Sequence, residues 1–401
     1  MPITLTTLVG VHVGAERDGA EMKTSRTRTR ERDATRCNSF VLCSMSRISL
    51  GMKAAVYHGP HKLEITDIPE PYPGPGTVKV KVGFNGICGT DLHEYYAGPI
   101  FVPTEPHPLT GRELPLTIGH EFAGTITDVG PGVTGFAPGD RVAIEPIYHC
   151  HQCAPCQAGT YNVCQQIGFH GLMADGGMAE YTVVPAHMLH RLPDTVSLEL
   201  GALVEPMAVA YHAAALGDVG PGDTAVVFGA GPIGIGLWFA LCGMGVGSIY
   251  IVEPSPTRRT AIERLGAETL DPTRIDVPAF ITDVTAGRGA DAAFDAAGVA
   301  AAIEGATASV GARRPTISVA IYEQPLPVPL LNLVMNESRI QGSLCYTSDD
   351  FDAVIALMAR GVYDTTGWVT TIGIDDVIDE GFGALHAGRK MKVLVDPSGN
   401  T

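Results

Sequence analysis

Between Thr224 and Val252 the chain carries no charged residue over 29 positions, yet seven glycines and Pro232 interrupt it. A membrane span needs an unbroken apolar helix of about 20 residues, so this stretch must fold as shorter pieces. Thr224 to Phe228 and Ser248 to Val252 are rich in β-branched and aromatic residues, as strands are. Gly229-Ala230-Gly231-Pro232-Ile233-Gly234 joins the first of them to a helix with the spacing G-x-G-x-x-G. Glycines at those places permit a tight turn and let a pyrophosphate approach the unpaired N–H groups of a helix N-terminus. Gly229, Gly231, Pro232, Ile233 and Gly234 are therefore candidate contacts for a dinucleotide.

Glu253 closes the next strand, 24 residues after Gly229. From there it can accept hydrogen bonds from both hydroxyls of an adenosine ribose, which favours NAD over NADP because a 2′-phosphate would meet a like charge. Arg258 and Arg259 follow closely. Arg258 joins the candidate cofactor contacts, the alternative for both being a solvated helix face. Strands at Asp291 to Ala296, Thr316 to Ala320 and Ile340 to Leu344 alternate with helical stretches near Ala279 to Thr285 and Ala300 to Val310. Residues 207–344 thus read as an α/β unit with a doubly wound parallel sheet.

Charge is distributed unevenly along the 401 residues. Residues 1–51 hold eight Lys/Arg against five acids, while residues 52–401 sit at −19. So acidic a body repels phosphate backbones, which argues against nucleic acid as a partner. Residues 1–51 lack any sustained apolar period and concentrate Arg, Thr and Ser, the pattern of a disordered extension. They fit neither a secretory signal nor a mitochondrial presequence, so a cytoplasmic, reducing location is expected. Translation from Met52, which opens the first good strand, is the competing reading, and N-terminal mass determination separates the two.

Residues 52–206 form short alternating segments separated by Gly/Pro turns, as in a compact β-rich barrel. Cys150, Cys153, Cys156 and Cys164 follow the spacing C-x2-C-x2-C-x7-C. Four thiolates complete a tetrahedral zinc shell with no open position, a structural site; disulfides or packed thiols are the alternatives. A dispersed second group comprises Cys88, His120, Glu121 and Glu205. Three such ligands with a fourth position open would suit a catalytic zinc. Taken singly, each also reads as an ordinary core residue.

With these residues in view, the chain resembles the zinc-dependent medium-chain dehydrogenase/reductase family over about residues 52–397. Cys88-Gly89-Thr90-Asp91-Leu92-His93-Glu94-Tyr95, Leu116 to Phe122, Ala202 to Pro206 and Ser343 to Phe351 carry the resemblance. They are most similar to its vicinal-diol branch, the (R,R)-2,3-butanediol dehydrogenases. The resemblance implies a GroES-like catalytic domain, completed by residues 345–401, with a Rossmann domain inserted and a homo-oligomer, dimer or tetramer, as the assembly. It implies zinc on Cys88, His120 and Glu121, with Glu205 beside the metal or exchanging into its shell. It further implies NAD as cofactor, a small alcohol or ketone as substrate, and a proton relay through Thr90, the cofactor ribose and His93. Sorbitol, glycerol or threonine oxidation, and a catalytically silent NAD-binding protein, remain alternatives. Two local departures stand out: His151 occupies a place where the family usually has glycine, and Gly311-Ala312-Arg313-Arg314-Pro315 replaces a glycine pair.

Overall fold

The computed structural model describes residues 51–322 and 324–399. The reading of residues 1–51 therefore falls, Gly51 apart, outside the described residues; Gly51 itself opens the strand Gly51–Gly59.

Thr77–Gly86 is the axis of the β-rich half. It alternates valines with polar residues, and Val78, Val80 and Val82 are buried. Around it a seven-stranded sheet runs Leu189–Arg191, Arg141–Ile144, Glu121–Val129, Thr77–Gly86, Lys392–Asp396, Val369–Gly373, with Tyr181–Pro185 also pairing on Thr77–Gly86. Two register pairs place the chemistry. Gly86 lies opposite Glu121 on one side, and Leu394 lies opposite Gly86 on the other. The chain's last strand is thus inserted beside its third.

In the other half, six parallel strands stand in the order Glu268–Leu270, Ser248–Val252, Thr224–Phe228, Ala292–Asp295, Pro315–Ser318, Arg339–Gly342. Counted along the chain this is third, second, first, fourth, fifth, sixth, the doubly wound order. Its inner strands are apolar on both faces because helices cover both. Pro232–Met244 stops at Gly245, whose φ of +78° closes the helix in the left-handed region. The expected elements recur with ends moved by one or two residues: Val277–Val284 and Ala300–Ser309 are the helices, and the last strand begins at Arg339. Helix Val204–Leu216 straddles residue 207 and packs on Pro232–Met244, and both halves contribute to one large core that includes Ala143, Met207, Leu237 and Leu394.

No helix among the described residues is long and apolar enough to cross a membrane.

Candidate active site and metal centres

Cys88 follows the strand Thr77–Gly86 by two residues and caps the helix Gly89–Ala97. Its N–H donates to Asp91 Oδ2 at 2.9 Å, half of a capping box that fixes the thiol at the helix entrance. Thr90 Oγ1 lies 3.7 Å from Cys88 Sγ, and His93, half-buried, sits three residues further along the same helix. Gly119, at φ +101°, turns the chain into His120 and Glu121. Donor atoms of Cys88, His120 and Glu121 all fall within 4.8 Å of one another. A side chain at Gly86 would displace the Glu121 carboxylate, since a Cβ there would lie 2.1 Å from Glu121 Oε2.

Sulfur, imidazole and carboxylate at this spacing suit zinc. The surroundings agree. Buried His120 Nδ1 and Asp91 Oδ1 face each other at 3.5 Å, and neither has another hydrogen-bond partner. A carboxylate on one ring nitrogen leaves the other for a metal and sets its tautomer. Burial disfavours a charged His120, but Asp91 and Cys88 outweigh it and raise its pKa well above the ordinary value. Buried Lys392, likewise raised against burial by Glu121, binds Glu121 Oε2 through its ammonium and gives a second bond, of 3.0 Å, to the Ile87 carbonyl.

Glu205 stands apart from the three-donor group. It occupies the first turn of Val204–Leu216, is 6% exposed, and accepts the Tyr346 hydroxyl at 2.7 Å. Burial, with Glu121 adding its charge, pushes its pKa up to about 7 against the pull of His120 and Lys392. Asp91, Lys392 and Tyr346 were not singled out by the sequence. Asp91 carried a signal, its place three residues after the cap; the others carried none beyond an unexpected lysine in the apolar run Lys392 to Val395.

The four lobe cysteines converge, with Sγ–Sγ separations of 3.4 Å (Cys153–Cys156), 3.8 Å (Cys153–Cys164) and 3.9 Å (Cys150–Cys156). All four are free thiols, their sulfurs farther apart than the roughly 2.05 Å of a disulfide and gathered as for one ion. Backbone N–H groups point at sulfur: Cys150 N to Cys164, Cys153 N to Cys150 and Gln166 N to Cys164, at 3.3 to 3.4 Å. Such bonds, from Gln165 and Cys156 above all, draw the Cys153 pKa down to about 6, as a metal-binding thiolate needs. His151 adopts φ +58°, the conformation glycine provides freely, and Arg313 does the same at +64° in the other departure from the family pattern.

At the dinucleotide loop the three glycines have separate jobs. Gly229 turns at φ +108°; Gly234 lets the helix close on the loop, where a Cβ would come within 1.9 Å of the Gly229 carbonyl; Gly231 faces open space, with nothing within 4 Å of a Cβ. That open cradle fits a pyrophosphate, with Pro232 and Ile233 beginning the helix behind it. Glu253 is turned inward. Its Oε2 accepts Ala230 N at 2.9 Å and its Oε1 accepts Ser255 N at 2.8 Å, so one acceptor position on each oxygen braces the loop and those remaining are available to ribose. Arg258 stands half-exposed 3.9 Å from Glu253 Oε2. Arg259 is committed elsewhere, to the carbonyls of Glu253 and Pro254 and to Asp271.

Residues 74–194 match the alcohol dehydrogenase GroES-like domain and residues 232–360 the zinc-binding dehydrogenase domain. The chain is 44% identical over 354 residues to (R,R)-butanediol dehydrogenase of Bacillus subtilis (strain 168), covering 86% of this chain and 100% of that protein. The crystal structure of 2R,3R-butanediol dehydrogenase from Bacillus subtilis superposes with a TM-score of 0.81 at 43% identity, covering 86% and 99% of the two chains. The crystal structure of a short chain alcohol dehydrogenase from Escherichia coli CFT073 complexed with cofactor NADH superposes with a TM-score of 0.77 at 28% identity, covering 86% and 99%. A thiolate–imidazole–carboxylate pocket, a four-cysteine lobe and a dinucleotide loop on this two-part architecture have one common explanation: the chain belongs to the zinc-binding alcohol dehydrogenases of the medium-chain dehydrogenase/reductase family.

Proposed function

We propose that this protein is a zinc- and NAD-dependent oxidoreductase interconverting a vicinal diol and its hydroxyketone, with (R,R)-2,3-butanediol and acetoin as the pair. The observation that carries the reading is the meeting of Cys88, His120 and Glu121 donor atoms within 4.8 Å of one another. Identity of 44% to a butanediol dehydrogenase over that enzyme's full length supports the substrate.

Cys88, His120 and Glu121 would hold zinc in the catalytic cleft, and the four lobe cysteines a second, structural ion. When bound, zinc supplies Lewis-acid polarisation of an alcohol or carbonyl oxygen and NAD supplies the hydride acceptor. The chain does the rest. Asp91 orients the His120 ring, and Lys392 balances the Glu121 charge so that the carboxylate is not left isolated in a buried place. Glu205, held by Tyr346, sets the polarity of the wall beside the cluster. In oxidation, the Thr90 hydroxyl takes up the substrate hydroxyl proton while passing its own on, and His93, half-buried on the same helix, delivers a proton to solvent.

The assembly in this reading is a homo-oligomer in the cytoplasm. Helix Leu330–Asn336 buries none of its residues and exposes Leu330, Leu331, Val334 and Met335 by two-thirds or more, next to the strand Arg339–Gly342, which pairs on one side only. A second copy of this chain covering that face would account for both, and light scattering would show it as a dimer or larger.

The deciding experiment is a substrate panel with NAD and NADP in parallel: the butanediol stereoisomers, acetoin, sorbitol, glycerol and threonine. The reading expects the highest kcat/KM for (R,R)-2,3-butanediol with NAD, abolished by chelation and restored by zinc. Higher kcat/KM for sorbitol, glycerol or threonine would replace the substrate, and zinc content without turnover of any of them would favour the silent NAD-binding protein.

A further inference from the structure

We infer that Tyr161 and Asn162, two residues of the cysteine lobe, are positioning residues for the catalytic cleft, acting through Leu344–Ser348 on the Tyr346 hydroxyl that holds Glu205. The inference rests on reading the Cys88–His120–Glu121 cluster with Glu205 as the active site.

Tyr161 and Asn162 lie in the turn Tyr161–Val163, directly before Cys164. Asn162, 5% exposed, donates from Nδ2 to the Leu344 carbonyl at 2.8 Å. The Tyr161 hydroxyl accepts the N–H of Ser348. That N–H belongs to the first residue of helix Ser348–Ala359, where the helix itself provides no acceptor. Adjacent lobe residues therefore pin both ends of a five-residue segment. Between the pins, Cys345 takes φ +51°, a conformation that a non-glycine residue keeps only where its surroundings impose it. Tyr346 comes next, fully buried, with its hydroxyl on Glu205 Oε1.

The Tyr161 hydroxyl is itself fixed. It donates to Glu145 Oε1 at 2.6 Å, Glu145 Oε2 lies 3.0 Å from His190 Nε2, and His190 Nδ1 lies 2.7 Å from Asp352 on the same helix that begins at Ser348. The chain of bonds closes on itself. A second tie reaches the helix that carries Glu205: His212 Nδ1 lies 2.8 Å from Asp350 Oδ2, which also accepts the Thr347 N–H and hydroxyl. Glu205 and Tyr346 thus meet in a register set on one side by Asp350 and on the other by the lobe.

The test uses full-length zinc-replete protein and the variants Asn162→Ala, Tyr161→Phe and Tyr346→Phe with the corresponding doubles. Tyr161→Phe keeps the ring that stacks on His149 at 4.5 Å, so it carries the test if Asn162→Ala fails to fold. Each lobe variant should lower kcat for the diol about three- to tenfold, the effect of one lost hydrogen bond, with KM for NAD unchanged. Each double should fall no further than Tyr346→Phe alone, because residues acting through one group are not additive. Hydrogen exchange of Leu344–Ser348 should quicken in the lobe variants and stay unchanged in the glycine loop. Additive losses, unchanged exchange in that segment, or activity falling only in step with melting temperature, as in the control Thr285→Val, which removes a buried hydroxyl bonded to the Ile281 carbonyl in the parallel-sheet half, would overturn the inference. Absence of turnover in the wild type would instead overturn the active-site reading, and exchange alone would then decide the coupling.

Discussion

The carboxylate of Glu121 and the ammonium of Lys392, 271 positions apart, form an ion pair at 1% and 3% side-chain exposure, the most deeply buried one among the described residues. Removing one partner of such a pair strands a charge and costs about 3–5 kcal/mol. Lys392→Met should therefore lower the unfolding free energy by roughly 3 kcal/mol and reduce zinc retention at the catalytic site, both measured by denaturation with parallel metal analysis. Lys392→Arg should recover part of each. Unchanged stability in Lys392→Met would mean that the pair contributes nothing net.

The glycine loop separates folding from cofactor binding. Gly231→Ala adds a methyl where nothing lies within 4 Å, so the variant should melt like wild type yet bind NADH at least about tenfold more weakly, as the pyrophosphate cradle fills. Gly234→Ala meets the Gly229 carbonyl and should lower the melting temperature instead. Fluorescence titration of NADH and thermal melts of both variants check this.

His151 and Arg313, two of the seven non-glycine residues at positive φ among the described residues, occupy backbone conformations that cost about 1–2 kcal/mol. His151→Gly and Arg313→Gly should each stabilise the protein by roughly 0.5–1 kcal/mol, after allowance for the freer unfolded chain. Among the described residues the Arg313 side chain makes only an exposed ion pair, with Glu337, worth little. Destabilisation of Arg313→Gly by urea unfolding would show that its side chain matters after all.

His170 gives a pH signature. Buried beside Tyr148, Thr182 and Phe122, it is held neutral, burial pushing its pKa down to about 3. The unfolded chain binds a proton below about pH 6.5, where the folded chain does not. Stability from this group is therefore complete above pH 6.5 and lost as the pH falls from there towards 3. At pH 5 the loss is about 2 kcal/mol. His170→Gln should show a smaller decline between pH 7.5 and pH 5 by that amount, and parallel declines in the two proteins would refute the assignment.

What the sequence made legible divides by distance along the chain. Both the four-cysteine lobe and the glycine loop are contiguous, and their spacing alone dictates which atoms can meet. Cys88, just past one strand, and His120 and Glu121, at the start of its neighbour, could be read as a pattern. Lys392 and Tyr346 were not, because their partners are chosen by strand insertion and helix packing, which leave no local trace. Glu253 was read as an acceptor for both ribose hydroxyls, but its inward turn was not legible: the loop's own N–H groups take one position on each of its oxygens. His151 and Arg313 were visible as departures, and the strain they carry became visible only as backbone angles.

Insertion of Lys392–Asp396 beside Thr77–Gly86 also orders events in time. Synthesis runs from the N-terminus, so a ribosome exposes Cys88, His120 and Glu121 well before the lysine that will neutralise the carboxylate. Until that strand docks, the Glu121 carboxylate stands in an unfinished sheet without the ammonium that balances it. Deletion of residues 390–401 should therefore weaken zinc retention at the catalytic site, read by metal analysis of the purified protein.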